Sequence, residues 1–193
     1  MRLRGLYAVT PEASDAVEKV GLALEGGVAL LQYRRKRRDL AEARAVAALA
    51  RRHGVPLIVN DDAELALELD ADGVHLGRDD GDLRTARRRL GGRILGASCY
   101  DDPELARRAV EAGADYVAFG SVFASTTKPA AVRAPLALFA RRFGVPVCAI
   151  GGITLENAPR LLAAGADLLA VVSDLFDAPD IRARAAQYQR LFA

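Results

Sequence analysis

The chain has 193 residues, 51% of them hydrophobic, with 27 basic against 25 acidic side chains and a formal net charge of +2. That length suits one domain spanning residues 1–193, and the near balance of charge argues against nucleic-acid binding. No apolar run approaches the roughly 18 residues that a membrane helix needs, and Cys99 and Cys148 sit in or just after apolar runs as small core residues, so the expected setting is a reduced cytoplasm with no membrane and no disulfide.

Short apolar runs recur along the chain at Gly5 to Val9, Ala29 to Leu31, Leu57 to Val59, Val74 to Leu76, Ile94 to Leu95, Tyr116 to Phe119, Val147 to Ile150 and Leu168 to Val172. Runs of this length and composition predict eight strands buried on both faces. Between them lie Ala-, Leu-, Arg- and Glu-rich segments of helical period, such as Leu40 to Arg52, Pro103 to Ala112 and Leu155 to Ala164. Alternation of strand and helix implies a parallel sheet with right-handed crossovers.

A weak internal repeat sharpens the expectation. LEGGVALLQ, LDADGVHLG, EAGADYVAFG and AAGADLLAVVS mark strands two, four, six and eight, while GVPLIVN and GVPVCAIGG mark strands three and seven. Four copies of a two-strand unit favour a closed, compact (β/α)8 TIM barrel, with an open doubly wound sheet as the alternative. In both architectures the functional site forms beyond the carboxyl ends of the strands.

The chain is poor in uncharged polar residues, with two asparagines and five serines, and only three of its cations are lysines. These scarce residues fall at predicted strand ends: Gln32 and Lys36 after strand two, Asn60 after three, Ser98 after five, Ser121 to Lys128 after six, Thr154 after seven and Ser173 after eight. The run Arg34 to Arg38 lies where a strand ends and has no interleaved aromatics, so it does not read as a nucleic-acid patch.

Carboxylates follow strands three and four, at Asn60-Asp61-Asp62 and at Asp79-Asp80. Each precedes a helical segment, so helix capping competes with metal binding; capping accounts for Asp62 and one of the second pair, while Asp61 and Asp80 remain a candidate pair for magnesium. Arg34, Lys36 and Lys128 are candidate partners for a diphosphate, because forked and point-charge donors match phosphate oxygens. Gly151-Gly152 and Val172-Ser173 suggest a second anion site after strands seven and eight, against the alternative of plain turns. His53 lies at the opposite end from this rim, and His75, inside strand four, reads as a satisfied core residue or as support for the site. No Ser-His-Asp, Cys-His or zinc-ligand constellation is present.

Taken in order, the motifs QYRRK (Gln32 to Lys36), VNDD (Val59 to Asp62), ADGVHLGRDD (Ala71 to Asp80), FGSVFASTTKP (Phe119 to Pro129), AIGGIT (Ala149 to Thr154) and VVSDLF (Val171 to Phe176) resemble the thiamine-phosphate synthase family over nearly the whole chain. The resemblance implies a magnesium-dependent transferase on a (β/α)8 barrel, with two phosphorylated small-molecule substrates as partners. It implies Gln32, Arg34, Lys36, Asn60, Ser98 and Lys128 around a pyrimidine diphosphate, Asp61 and Asp80 on magnesium, and Ser125, Thr126, Thr127, Gly152, Val172 and Ser173 around a thiazole phosphate. Arg34, Lys36 and Lys128 would carry catalysis by neutralising departing diphosphate. The sequence departs from the family pattern at Arg35, Arg78, Ala124 and Ser125. Ser121 separates it from those related thiazole tautomerases that carry histidine there. A tautomerase and a non-catalytic thiazole-phosphate binder remain the alternatives, and a homo-oligomer is compatible with the sequence.

Overall fold

The computed structural model describes residues 3–124 and 133–193. Eight parallel strands close into a barrel in sequence order, so the doubly wound alternative falls away. The strands are β1 (Gly5–Val9), β2 (Leu30–Tyr33), β3 (Leu57–Asn60), β4 (Gly73–Leu76), β5 (Ile94–Tyr100), β6 (Tyr116–Phe119), β7 (Val147–Ile150) and β8 (Leu168–Val171). Closure is direct, with Tyr7 of β1 opposite both Leu30 of β2 and Ala170 of β8.

The helices are α1 (Ala16–Gly26), α2 (Leu40–His53), α3 (Ala63–Glu68), α4 (Leu83–Leu90), α5 (Pro103–Glu111), α6 (Ala158–Ala164), α7 (Ser173–Phe176) and α8 (Ile181–Arg190). Local chemistry sets several of their starts. Asp39, Asp62, Asp82, Asp102 and Asp180 each accept a backbone N–H of the first turn of α2, α3, α4, α5 and α8. Small buried residues such as Ala43, Ala47 and Ala50 let α2 lie close against the sheet.

The segments between strands depart from expectation in two places for identifiable reasons. α6 begins at Ala158 rather than Leu155, because Pro159 occupies the first turn and Asn157 ends the preceding turn by accepting the Thr154 N–H at 2.9 Å. Between β6 and β7 the described residues form a single 3-10 turn, Leu136–Leu138, after Pro135, so the strand–helix alternation is interrupted there.

The barrel has an outer shell, where strands meet helices, and an interior filled by Tyr7, Val9, Leu30, Ile58, Tyr116, Ala118, Cys148, Leu168 and Ala170. The internal repeat has a structural meaning at the amino-terminal face. Asp72, Asp115 and Asp167 each precede an even-numbered strand and accept the backbone N–H of Leu57, Leu95 and Val147 of the preceding odd strand, at 2.8, 2.8 and 3.0 Å. In the β2 copy this position is Ala29, packed where a side chain on Gly5 would collide with its Cβ at 2.5 Å. These carboxylates fasten the floor of the barrel and leave its opposite rim for chemistry. Both cysteines are free and buried, and among the described residues no helix is long and apolar enough to cross a membrane.

Candidate active site

Among the described residues, those anticipated for the rim fall at the carboxyl ends of their strands, with one systematic difference. Gln32, Asn60 and Ser98 are within β2, β3 and β5 rather than after them. The parallel ladder pairs backbone irrespective of side-chain polarity, so Gln32 stays in register with Val9 and Ile58, Asn60 with His75, and Ser98 with Ala118. Their polar groups therefore sit at the top of the barrel interior.

The β2–α2 loop carrying Arg34 and Lys36 is held from β1. Thr10, 2% exposed, grips Arg34 twice: its hydroxyl donates to the Arg34 carbonyl at 3.0 Å and accepts the Arg34 N–H at 2.9 Å. Glu12 accepts the Lys36 N–H at 2.8 Å. Arg35, by contrast, turns away into a forked pair with Glu42 and a 3.4 Å contact with Glu12. The loop backbone is thus fixed, with the Arg34 guanidinium near enough to act on Asp61 and the Lys36 side chain exposed.

Asp61 and Asp80 come together across β3 and β4. Asp61 has φ 62°, a left-handed conformation uncommon for residues other than glycine, and its N–H is held by the His75 carbonyl at 2.8 Å. Partial burial, and next the neighbouring Asp80 carboxylate, push the Asp61 carboxyl up to about 6; the Arg34 guanidinium and the Asn60 amide, 2.5 Å from Asp61 Oδ2, pull the other way. Asp80 closes its own turn by accepting the Gly77 N–H at 2.7 Å. A half-buried carboxylate whose proton affinity is raised beside a second one makes a fitting pair for a hard divalent cation completed by phosphate oxygens. Among the described residues there is no self-sufficient cluster of three or more His, Cys, Asp and Glu side chains for a metal.

The expected capping of α4 by Asp79 or Asp80 is corrected. Asp82 caps that helix, accepting the Thr85 N–H at 2.8 Å, because Gly81 with φ 115° carries the chain one turn further before the helix starts. Asp62 caps α3 as anticipated, by accepting the Leu65 N–H at 2.8 Å.

The strained pair has a measurable consequence in metal-free protein. Asp61 titrates near 6 when folded and near 3.8 when unfolded, so between these values the folded chain binds more protons and stability falls as pH rises. Asp61→Asn removes this slope. Thermal unfolding in chelator is expected to show the variant gaining on the parent chain from pH 4 to pH 7; parallel curves would mean that neither burial nor Asp80 raises the Asp61 carboxyl.

Beneath the rim, a chain of polar side chains crosses the barrel interior. The Gln32 amide donates to Tyr7 Oη at 2.7 Å, Tyr7 and Tyr116 hydroxyls are 2.8 Å apart, Tyr116 Oη lies 2.9 Å from His75 Nδ1, and His75 Nε2 lies 2.8 Å from Ser98 Oγ. Gly96 makes room for this arrangement, since a Cβ there would stand 2.2 Å from the Tyr116 ring. Burial pulls His75 down to about 4 and pushes both phenols well above their ordinary range, so all three are neutral. His75 is therefore both a satisfied core residue and a support for Ser98. Tyr7 and Tyr116, with Thr10 and Glu12, were not singled out by sequence; a tyrosine in the middle of a fully buried strand, whose hydroxyl must find a partner, is the signal that points to them.

On the other side of the rim, Gly151 and Gly152 have φ 104° and 64°, and a Cβ on Gly152 would stand 2.4 Å from the Ala124 carbonyl oxygen. The glycines let the β7 loop nest against the β6 loop, where the Ser121 hydroxyl donates to the Phe123 carbonyl at 2.9 Å. Asn157 holds Gly152 by donating to its carbonyl at 3.0 Å. β8 ends at Val171, one residue earlier than expected, and Val172 and Ser173 lead into α7. Ser125, Thr126, Thr127 and Lys128 lie outside the described residues.

A barrel with this rim has close counterparts among known proteins. Residues 6–175 match the family model described as thiamine monophosphate synthase. The chain belongs to that family. It is 62% identical to the thiamine-phosphate synthase of Aromatoleum aromaticum, covering 99% of this chain and 97% of the relative. It is 57% identical to that of Thiobacillus denitrificans, covering 98% and 95%. A solved thiamine phosphate pyrophosphorylase from Pyrococcus furiosus superposes with a TM-score of 0.86 at 33% identity, covering 98% and 96% of the two chains. A 3-hexulose-6-phosphate synthase, at 17% identity and a TM-score of 0.76, shares the fold. Membership of the thiamine monophosphate synthase family makes the chain a transferase, and its members' small phosphorylated substrates call for an anion-handling rim of the kind described.

Proposed function

We propose that the chain is a cytoplasmic, magnesium-dependent thiamine-phosphate synthase that joins 4-amino-2-methyl-5-(diphosphooxymethyl)pyrimidine to thiazole phosphate, giving thiamine monophosphate and diphosphate. The observation that carries this reading is the juxtaposition of Asp61, Asp80 and Arg34 on one rim, with Asp61 feeling both of the others. A carboxylate pair beside a guanidinium is suited to a polyanion that arrives with a divalent cation.

Asp61 and Asp80 would hold the magnesium, which when bound supplies positive charge to the diphosphate oxygens. Arg34 and Lys36, on their anchored loop, and Lys128 bind the diphosphate and stabilise the charge that grows on it as the C–O bond breaks. The pyrimidine-methyl cation left behind is captured by the thiazole nitrogen. Gln32, Asn60 and Ser98 orient the pyrimidine diphosphate, while Ser125, Thr126, Thr127, Gly152, Val172 and Ser173 hold the thiazole phosphate so that its nitrogen faces the departing bond. A ring nitrogen with a free lone pair needs no deprotonation, which fits a rim whose nearest histidine is buried, neutral and already hydrogen-bonded at both nitrogens.

The test is direct incubation with both phosphorylated substrates and magnesium, followed by assay of thiamine monophosphate and diphosphate. Stoichiometric appearance of both products is expected. Isomerised thiazole without coupling would select a tautomerase, and binding without either product a non-catalytic module.

A further inference from the structure

We propose that the buried series Gln32–Tyr7–Tyr116–His75–Ser98 is a hydrogen-bond relay of fixed polarity, which presents an acceptor at Gln32 and a donor at Ser98 and so makes Tyr7, Tyr116 and His75 positioning residues for the ligand. The inference rests on the synthase reading for the identity of that ligand, but not for the polarity itself.

Each link has few ways to be satisfied. The Gln32 amide nitrogen can only donate, so Tyr7 Oη accepts from it and has one proton of its own to place. Tyr116 Oη, 2.8 Å away, is its other partner. Tyr116, accepting from Tyr7, then gives its proton to His75 Nδ1 at 2.9 Å. A neutral imidazole has one donor and one acceptor nitrogen, so acceptance at Nδ1 places the ring proton on Nε2, which donates to Ser98 Oγ at 2.8 Å. The Ser98 hydroxyl proton then points onward, and among the described residues no group takes it. Gln32 Oε1 likewise accepts nothing there. The reversed series would bring the Tyr7 proton against the Gln32 amide hydrogens at a position 1% exposed, where water offers no relief.

The surrounding packing holds this geometry. Tyr7 and Tyr116 meet edge to face with ring centroids 5.9 Å apart, and Tyr116 stacks on His75 at 5.5 Å. Nothing larger than Gly96 fits opposite the Tyr116 ring. β1, β2, β4, β5 and β6 each supply one member, so strands on different sides of the barrel are joined by one series of protons. A ligand bound above it is selected for an acceptor atom facing Ser98 and a donor facing Gln32, the pattern of a ring nitrogen and an exocyclic amine on one heteroaromatic ring.

The test reads the polarity and its consequence separately. In protein labelled with ¹⁵N at the imidazoles, His53→Gln leaves His75 as the single ring, and its ¹⁵N shifts report which nitrogen carries the proton. We expect one Nε2–H tautomer, converted to a mixture in Tyr116→Phe. Kinetically, Tyr116→Phe and Tyr7→Phe keep the rings but cut the series, and each should raise KM for the pyrimidine diphosphate about tenfold while leaving KM for the thiazole phosphate within about twofold. An Nδ1–H tautomer in the parent chain, an unchanged tautomer in Tyr116→Phe, or equal increases in both KM values would overturn the proposal. If Tyr116→Phe does not fold, the parent spectrum and Tyr7→Phe decide it. A parent chain that binds but does not couple the two substrates would remove the synthase reading, and the ¹⁵N shifts would still decide the polarity.

Discussion

Lys128→Ala is expected to lower turnover by about 10²-fold or more, the scale on which a single preorganised donor at a developing anion acts. The reasoning is electrostatic. In a dissociative step the diphosphate gains charge before the new bond forms, so a cation that touches it is worth more in the transition state than in the ground state. Uniform loss of binding would appear in KM alone; a loss confined to the departing charge appears in kcat. Lys128→Arg should recover part of the rate, because the charge is retained while the point-like ammonium geometry is not. Arg34 and Lys36, proposed to share the role, ride on a loop whose backbone is fixed by Thr10 and Glu12 through contacts that survive substitution of either side chain. A purified Lys128→Ala enzyme with unaltered kcat would take this lysine out of the chemistry and leave the charge stabilisation to the β2–α2 loop.

The course of the chain was legible in sequence because barrel strands buried on both faces must be apolar, and helices packed outside them must be amphipathic. β1, β6 and β7 fall where their apolar runs predict. Strand ends were less legible where the top of the barrel turns polar. Gln32, Asn60 and Ser98 break the apolar run yet continue the ladder, since tyrosine and histidine partners in the interior satisfy two of them. The rim assignments depended on scarcity: in a chain with two asparagines, both are found bracing loops, Asn60 beside Asp61 and Asn157 beneath Gly152. Contacts between distant positions carried no such signal. Nothing in the spacing of Tyr7 and Tyr116, 109 residues apart, reveals a 2.8 Å hydrogen bond, and the choice of Asp82 over Asp79 or Asp80 as the α4 cap depends on how Gly81 turns the chain.

That Asp82, rather than a member of the Asp79-Asp80 pair, caps α4 strengthens the case for the carboxylate pair. A carboxylate committed to a helix cap would be stabilised as an anion by the helix end and would have little reason to approach another. Asp80 instead sits in a turn with a single backbone donor, facing Asp61, whose own left-handed backbone is held by β4. Backbone strain and like-charge proximity at the same position are costs that a purely structural loop has no use for.

Asp61→Ala and Asp80→Ala are accordingly expected to abolish magnesium-dependent turnover, each by 10²-fold or more, on the scale of losing a principal electrostatic contribution at the leaving group. The two variants should differ in one respect. Removing Asp80 takes away the neighbour that raises the Asp61 carboxyl, so Asp61 moves back toward the ordinary carboxylate range, whereas removing Asp61 leaves Asp80 with its Gly77 hydrogen bond and no partner. Direct magnesium titration by calorimetry, with the pyrimidine diphosphate present and absent, separates loss of metal from loss of substrate. Weak metal binding without substrate is expected even in the parent chain, because two carboxylates leave most of the coordination shell to phosphate oxygens and water. Binding of the diphosphate should tighten the metal, and by linkage the metal should tighten the diphosphate by the same factor. That reciprocal gain should vanish in both variants; if it survives in either, the ion is held elsewhere on the rim and Asp61 and Asp80 serve only to shape their loops.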